Sequence, residues 1–511
     1  MMIKVMTATL SGVSGAPVTV ETDLHQGMPE FHIVGLADTT IRESCRRIRP
    51  AIRNSGLRFP GEKLTVNLMP AARPKEGSHF DLPIAMGIIL LTEGFEPPGD
   101  TAFLGELSLD GQINPVRGVL PLVISLRRQG IRKVILPLGN AAEASVLDDI
   151  GILGAESLRE VVDHVTGMGD IPLYKGKKQV GRARSSLDFA QVYGQESVKR
   201  AMVIGAAGGH GMLMMGSPGC GKTMIARRLP TILPELTYEE KLEIMAIYSV
   251  AGLLDQEHPA IGERPFRNPH HSITMTGLIG GGAKPRPGEL SLAHRGVLFL
   301  DELGEFDSRV IDSMRQPIED GFVRINRNLE EIIFPSDVMV VIASNPCKCG
   351  NLWDERKLCT CTPRQLMAHR RKLSGPFTDR IDMHIRMMPV DKEMLKLAQS
   401  DRNGLTSDEM RRQVEQARQR QLARYADAPY DFNAGLDEKG LACFCGLDRS
   451  GRQMMMAAYD RMALTMRGYV RIVKLARTIA DLADQENIRE EHIAEALTFR
   501  TIGTGGEEHG Q

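Results

Sequence analysis

The chain has 511 residues, 42% hydrophobic and 25% charged, with 63 basic against 64 acidic side chains and a formal net charge of −1. That length predicts three or four domains, each able to bury its own core, and the charge balance excludes a protein coated in positive charge while leaving room for a narrow basic channel. An aromatic content of 5% with one Trp argues against extensive stacking on bases, and the longest apolar run, residues 84–91, is too short to span a bilayer. The opening stretch MMIKVMTATLSG has neither the apolar core nor the cleavage site of a signal peptide, so a cytoplasmic location with no membrane partner is expected.

Residues 1–170 alternate short β-like runs (IKVMTATL, PVTVETDL, FHIVGL, KLTVNLM, IRKVILP) with helical stretches such as TTIRESCRRIRPAIRNSG and LPLVISLRRQG. This pattern predicts a mixed α/β domain. Residues 171–188 are polar, basic and aperiodic, which predicts a linker that can also meet a polyanion. Residues 189–390 return to a βα pattern, and residues 391–502 read as helical throughout. The Gly-rich tail, residues 503–511, is expected to be disordered.

Within the third segment, GSPGCGKT at residues 216–223 fits the phosphate-loop pattern at every fixed position. The apolar run MLMM precedes it as a strand, and MIARRLPTIL follows it as a helix. Such a junction aims backbone N–H groups at one spot. Gly216, Gly219 and Gly221 let the backbone of Ser217, Pro218 and Cys220 wrap a phosphate, Lys222 supplies charge for the β/γ-phosphates, and Thr223 offers a hydroxyl to Mg²⁺. A nucleoside triphosphate is the expected ligand.

About 75 residues then separate the loop from the next strand, more than one crossover needs, and this insertion carries Lys284 and Arg286 in a Gly-rich setting. His270 and His271 lack carboxylate companions at metal-binding spacing, so loop packing or polar contacts are expected of them. GVLFLDEL ends a strand in Asp301, a Mg²⁺ ligand, and Glu302, placed to activate water. Residues 320–335 alternate like a β-hairpin with Arg324 and Arg327 near its turn; each basic residue here is either a phosphate contact or a solvated charge. VMVVIASNP ends in Asn345, whose amide suits a γ-phosphate and its attacking water, or else simply a turn before Pro346. Cys347, Cys349, Cys359 and Cys361 fall within fifteen residues; a tetrahedral zinc site, free reduced thiols and a redox switch all fit that spacing. Cys443 and Cys445 have no second pair nearby and read as incidental thiols.

The order of these motifs resembles the AAA+ ATPases, and the finer likeness is to the magnesium-chelatase-like ComM/YifB family. It covers about residues 3–500 and rests on FHIVGLADTTIRES, NSGLRFPGEKLTVNLMP, KEGSHFDLPIA, YGQESVKRA, GSPGCGKT, RPFRNPHHSITMTGLIGGG, KPRPGELSLAHRGVLFLDEL, RQPIEDGFVRINR, ASNPCKCG and LSGPFTDRID. The resemblance narrows the nucleotide to ATP and implies a P-loop AAA+ core with hairpin insertions and a helical lid. It implies a hexameric ring of identical chains with DNA, single-stranded or branched, in the channel, and ATP-driven helicase or branch-migration activity on DNA taken up in transformation. Arg380 matches the arginine finger given to a neighbour's ATP, against the alternative of an ion pair with Asp379 or Asp382. Arg467, or failing that Arg477, matches the sensor-2 arginine of the nucleotide site.

Residues 1–170 also resemble, distantly, the peptidase domain of Lon proteases, a ribosomal S5 domain 2-like α/β fold. The nucleophile slot falls on His79 with Ser78 one residue early, and the lysine slot falls on Leu120, so no proteolysis is expected. The domain is expected to serve as a scaffold for ring assembly or DNA entry. The rival reading is a chelatase-like or protein-remodelling motor subunit acting on a protein partner.

Overall fold

Burial in the first domain follows the period of its sequence. Along the strand Ser14–His25, Ala16, Val18, Val20 and Thr22 are buried while their neighbours are not, as a sheet with one face on a core requires. The computed structural model describes residues 2–176, 186–254, 261–327, 330–354, 357–373, 377–389, 405–462 and 464–500. Residues 177–185 of the expected linker and the whole 503–511 tail lie outside these residues, as does the start of the expected helical segment.

The first domain is a seven-stranded mixed sheet in the order Glu30–Val34, Lys63–Met69, Ser14–His25, Met2–Ser11, Thr101–Phe103, Lys133–Pro137, Gly151–Ala155. Helix Asp81–Glu93 is buried along its whole first eleven residues, so its apolar character all round belongs to a central helix between layers. Helix Val119–Arg128 covers the other side of the long strands and also carries the contact with the phosphate-loop region. Met245, from helix Tyr238–Ala251, shares a core with Val119, Leu122 and Val123. The backbone N–H of Gly118 donates to the Ser249 carbonyl at 3.1 Å, and that of Leu120 to Ser249 Oγ at 3.3 Å. The Ser249 hydroxyl in turn donates to Glu143, which burial holds above the usual carboxylate range. At its far end, the ribbon turn at Gly12 lies against the Ile333 backbone of the hairpin insertion.

The phosphate-loop region is built on a five-stranded, wholly parallel sheet in the order Phe266–Arg267, Val297–Leu300, Met339–Ser344, Met212–Gly216, Met383–Met387. Its strands alternate between two cores. Met212, Met214, Val297, Phe299, Val341 and Ala343 face one cluster, whereas Leu213, Met215, Leu298, Leu300, Val340 and Ile342 face another. A sheet covered on both faces explains why these strands read as unbroken apolar runs.

The helices Ser407–Arg424, Glu438–Phe444, Arg449–Arg461, Met466–Leu482 and Glu490–Thr498 share the first cluster with the sheet. They pack behind the sheet: Gln421 donates to the Ala207 carbonyl at 3.0 Å, and Thr478 meets His210 at the start of the phosphate-loop strand. The helix after the phosphate loop ends sooner than its sequence implies. It spans Lys222–Ala226 and passes into a 3₁₀ turn at Leu229–Thr231, because Pro230 lacks the N–H that a continuing helix needs.

Candidate nucleotide site

Parallel strands bring the chemical residues together at one end of the sheet. Strand Met212–Gly216 runs into the phosphate loop, and the neighbouring strands end at Leu300 and Ser344, one residue short of Asp301 and Asn345. Lys222, nine-tenths buried, donates to the Gly216 carbonyl at 2.6 Å, the Ser217 carbonyl at 3.2 Å and Asn345 Oδ1 at 3.0 Å. The Thr223 hydroxyl donates to Asp301 Oδ2 at 2.7 Å. Glu302 is exposed and left-handed, with φ 54°, and its N–H donates to Asp301 Oδ1 at 3.0 Å. A non-glycine residue in that conformation is strained, here at the position read as the water-activating carboxylate.

The loop fits a phosphate on its own terms. Gly219 and Gly221 have φ of 83° and 92°, a conformation L side chains resist. A Cβ at Gly216 would stand 2.7 Å from the Met387 carbonyl. Among the described residues, the Ser217 hydroxyl is buried without a hydrogen-bond partner. An orphaned donor beside a buried ammonium is what an anion would satisfy. Lys222 and Asn345 would face its phosphates, and Thr223 with Asp301 would face Mg²⁺.

Residues that the sequence pattern does not mark hold this arrangement. His369 Nε2 lies 2.8 Å from the Asn345 carbonyl, and Lys372 donates to the Gly304 carbonyl at 2.6 Å. Both sit on helix Pro363–Leu373 and reach 24 and 68 residues back along the chain, beyond any local periodicity. Between that helix and Asn345 lie the four cysteines, whose Sγ atoms all fall within 4.8 Å of one another.

Arg380 stands at the other end of the sheet. Strand Met383–Met387 lies parallel to Met212–Gly216 with Met387 beside Gly216, so five residues of strand, about 16 Å, separate Arg380 from its own phosphate loop. Its guanidinium pairs with Glu319 at 2.5 Å, a partner other than the Asp379 or Asp382 of the alternative reading. Asp382 instead joins His210 at 3.0 Å and Arg471 at 2.7 Å. Burial alone would raise the Asp382 carboxyl, but the His210 hydrogen bond and the Arg471 charge outweigh it and hold it at about 2. Arg471 also donates to the Arg380 carbonyl. Arg467 is exposed one turn before Arg471 on the same helix, which puts it near Arg380 and away from the phosphate loop of its own chain. Arg477 is buried on Asp481 at 3.0 Å and the Gln485 carbonyl at 2.6 Å, so it is a structural residue of the helical region.

The remaining basic residues are less uniform than their spacing suggests. Lys284 and Arg286 are exposed around a small ribbon, Gly280–Gly281 with Arg286–Pro287. The hairpin forms as Phe322–Arg327 paired with Glu330–Pro335. Arg324 is mid-strand and pairs with Glu331 at 2.5 Å, so its charge is already partly countered. Arg327 ends its strand at the turn, and its side chain lies outside the described residues. His270 bonds Ser272 at 2.8 Å and stacks on His271 at 4.0 Å, the loop packing expected of that pair. In the first domain, His79 is buried with Nε2 2.9 Å from the Ala8 carbonyl, and Leu120 is fully buried apolar core. The nucleophile slot thus holds a buried imidazole and the lysine slot an alkyl side chain.

Comparison with known proteins agrees with this geometry. Three family models match the chain: magnesium chelatase, subunit ChlI, over residues 188–395; subunit ChlI of Mg-chelatase over residues 20–140; and the subunit ChlI C-terminal region over residues 404–500. The competence protein ComM of Haemophilus influenzae is 38% identical over 499 residues, 96% of either chain. The uncharacterized protein YifB of Escherichia coli is 37% identical over 98% of this chain and 97% of its own. Lon protease 1 of Herpetosiphon aurantiacus matches more narrowly, 28% identical over 163 residues, 30% of this chain.

Proposed function

The chain belongs to the magnesium-chelatase-like ComM/YifB family with its AAA+ core, and from that premise we propose that it is a ring-forming, ATP-driven motor on DNA. Its task in this reading is branch migration or heteroduplex extension on incoming single strands, in keeping with the competence protein among its relatives. Lys222 and Asn345 hold the β/γ-phosphates, Thr223 and Asp301 hold Mg²⁺, and Glu302 takes the proton of the attacking water. Arg380 stabilises charge on the γ-phosphate of the next subunit, with Arg467 beside it. The four cysteines hold a structural zinc ion. Lys284, Arg286, Arg324 and Arg327 meet DNA phosphates.

One observation carries the reading: within a single chain, Arg380 and the phosphate loop occupy opposite ends of the same sheet. Head-to-tail assembly brings one end of each chain to the other end of its neighbour, and closed rotation makes that a ring, for which a hexamer is proposed. Mixing supplies the test. Lys222→Ala and Arg380→Ala proteins should each be inactive, and equal parts of both should recover ATP turnover at the interfaces that pair an intact loop with an intact arginine. No recovery in mixed rings would sink the shared site.

A second reading, a chelatase-like or protein-remodelling motor, is favoured by the family models themselves. ATP turnover measured without DNA and with linear DNA, branched DNA and an unfolded protein separates the two. Stimulation by the protein alone would favour the second reading.

A further inference from the structure

We propose that the four-cysteine site is a zinc brace that sets the geometry of the nucleotide site, so that metal occupancy governs ATP binding and hydrolysis; this rests on the nucleotide-site reading above. The thiols are arranged for a metal. Cys347 Sγ lies 3.4 Å from Cys349 Sγ and 3.7 Å from Cys359 Sγ, and Cys349 Sγ lies 3.6 Å from Cys359 Sγ. A tetrahedral zinc with Zn–S bonds of about 2.3 Å has S···S edges of about 3.8 Å. The Cys349 backbone N–H donates to Cys361 Sγ at 3.3 Å, the kind of contact that steadies a thiolate ligand. Cys347 is fully buried and the other three are partly so, which closes the site to substrate and marks it as structural rather than catalytic.

The site's surroundings give the metal its task. Cys347 follows Asn345 by two residues, at the tip of the strand that presents that amide to Lys222. Gly350, inside the cysteine loop with φ 80°, is packed so closely on the phosphate loop that a Cβ there would run into the Pro218 ring. Just after Cys361, the Thr362 backbone N–H donates to the Gln365 side chain at 2.9 Å and Thr362 Oγ1 accepts from the Gln365 N–H at 3.3 Å, starting helix Pro363–Leu373. That helix carries His369 to the Asn345 carbonyl and Lys372 to the Gly304 carbonyl, two residues beyond Glu302. One ion on four thiolates, with the thiol protons released to solvent, therefore ties together the phosphate loop, Asn345 and the loop of Asp301–Glu302. With the metal removed, the thiols take back their protons and a slack loop releases all three at once.

The experiment uses the full-length chain with three readouts: zinc content, affinity for a fluorescent ATP analogue, and ATP turnover. The natural chain should carry about one equivalent of zinc, and less than about half an equivalent after metal-replete growth would overturn the metal assignment. Cys359→Ser should lose the zinc and weaken nucleotide affinity and turnover at least about tenfold, with Cys443→Ser unchanged as a control. Gly350→Val keeps every thiol and so tests the brace even if Cys359→Ser fails to fold. It should retain zinc while losing nucleotide affinity through Pro218. Full zinc with unaltered affinity in Gly350→Val, or zinc loss with unaltered affinity in Cys359→Ser, would overturn the brace. A natural chain that binds zinc but no ATP analogue would instead overturn the nucleotide-site reading.

Discussion

Two lysines in this chain are buried against three oxygen atoms each, and they serve opposite ends. Lys75, in the first domain, donates to the carbonyls of Gly35, Leu68 and Pro70, at 3.0 Å for Gly35 and 2.8 Å for Leu68. Lys222 donates to two carbonyls of its own loop and to a side chain, Asn345. Every partner of Lys75 is main chain, so its contacts can change only if the fold does. Desolvation also holds its ammonium below the ordinary lysine range, the mark of a cation buried without a counter-charge. Around Lys222 there is an orphaned Ser217 hydroxyl, a paired Thr223 and Asp301, and glycine backbone that a phosphate can approach. Burial and hydrogen bonding alone do not separate a structural ammonium from a functional one. The neighbours that a ligand could replace do.

The strongest way to break that contrast is at Lys222. Lys222→Ala is expected to cut ATP turnover at least about a hundredfold while leaving the nucleotide-free melting temperature nearly unchanged, checked by phosphate release and calorimetry. Collapse of the fold instead would make Lys222 the structural residue. Lys75→Met should do the reverse. It strips three buried carbonyls of their donor and costs about 2–4 kcal/mol, seen in denaturant unfolding, with nucleotide affinity preserved.

His79 sharpens the same division from within the first domain. Burial pushes its imidazole down to about 4, against about 6.5 in an unfolded chain. The unfolded state therefore takes up the proton first as pH falls. Stability is full above about 6.5 and declines between about 6.5 and 4, by on the order of 3 kcal/mol. His384, in the ATPase region, is lowered to about 4 by burial and titrates in the same window. His79→Gln should remove part of the decline and His384→Gln another part, with ATP turnover at neutral pH little altered by His79→Gln. The smallest effect is expected at the hairpin. Arg324→Ala should weaken DNA binding by one phosphate contact, lowering the slope of log affinity against log salt by about 1, whereas Glu331→Gln should strengthen binding by freeing the same guanidinium.

Much of the nucleotide site was legible because its residues follow directly on strands: the phosphate loop on Met212–Gly216, Asp301 on Val297–Leu300 and Asn345 on Met339–Ser344. A run such as MLMM, VLFL or MVVIAS announces a buried parallel strand, and the polar residue after it falls at the tip where ligands bind. What escaped was whatever depends on packing between distant segments. Nothing near Arg380 predicts Glu319 as its partner, and nothing in the helical region says that it packs behind the sheet. Arg467 and Arg477 differ by ten positions and read alike, yet one is exposed near Arg380 and the other is locked on Asp481. The cysteine cluster stood between these cases. Its spacing left zinc, free thiols and a redox switch open, and only the folded arrangement drew four sulfur atoms to within 4.8 Å.

The two cores that clasp the ATPase sheet bear on how this site can change over evolutionary time. Each residue of 212–215, 297–300 and 339–343 is assigned to one core or the other by parity. A one-residue insertion or slip would exchange every assignment and carry the strand tip about 3.3 Å out of place. The phosphate loop, Asp301 and Asn345, which follow these strands, are thus indexed by some dozen apolar side chains of the two cores. Length changes are therefore expected in the loops beyond the tips, where the long insertion, the hairpin and the cysteine loop lie.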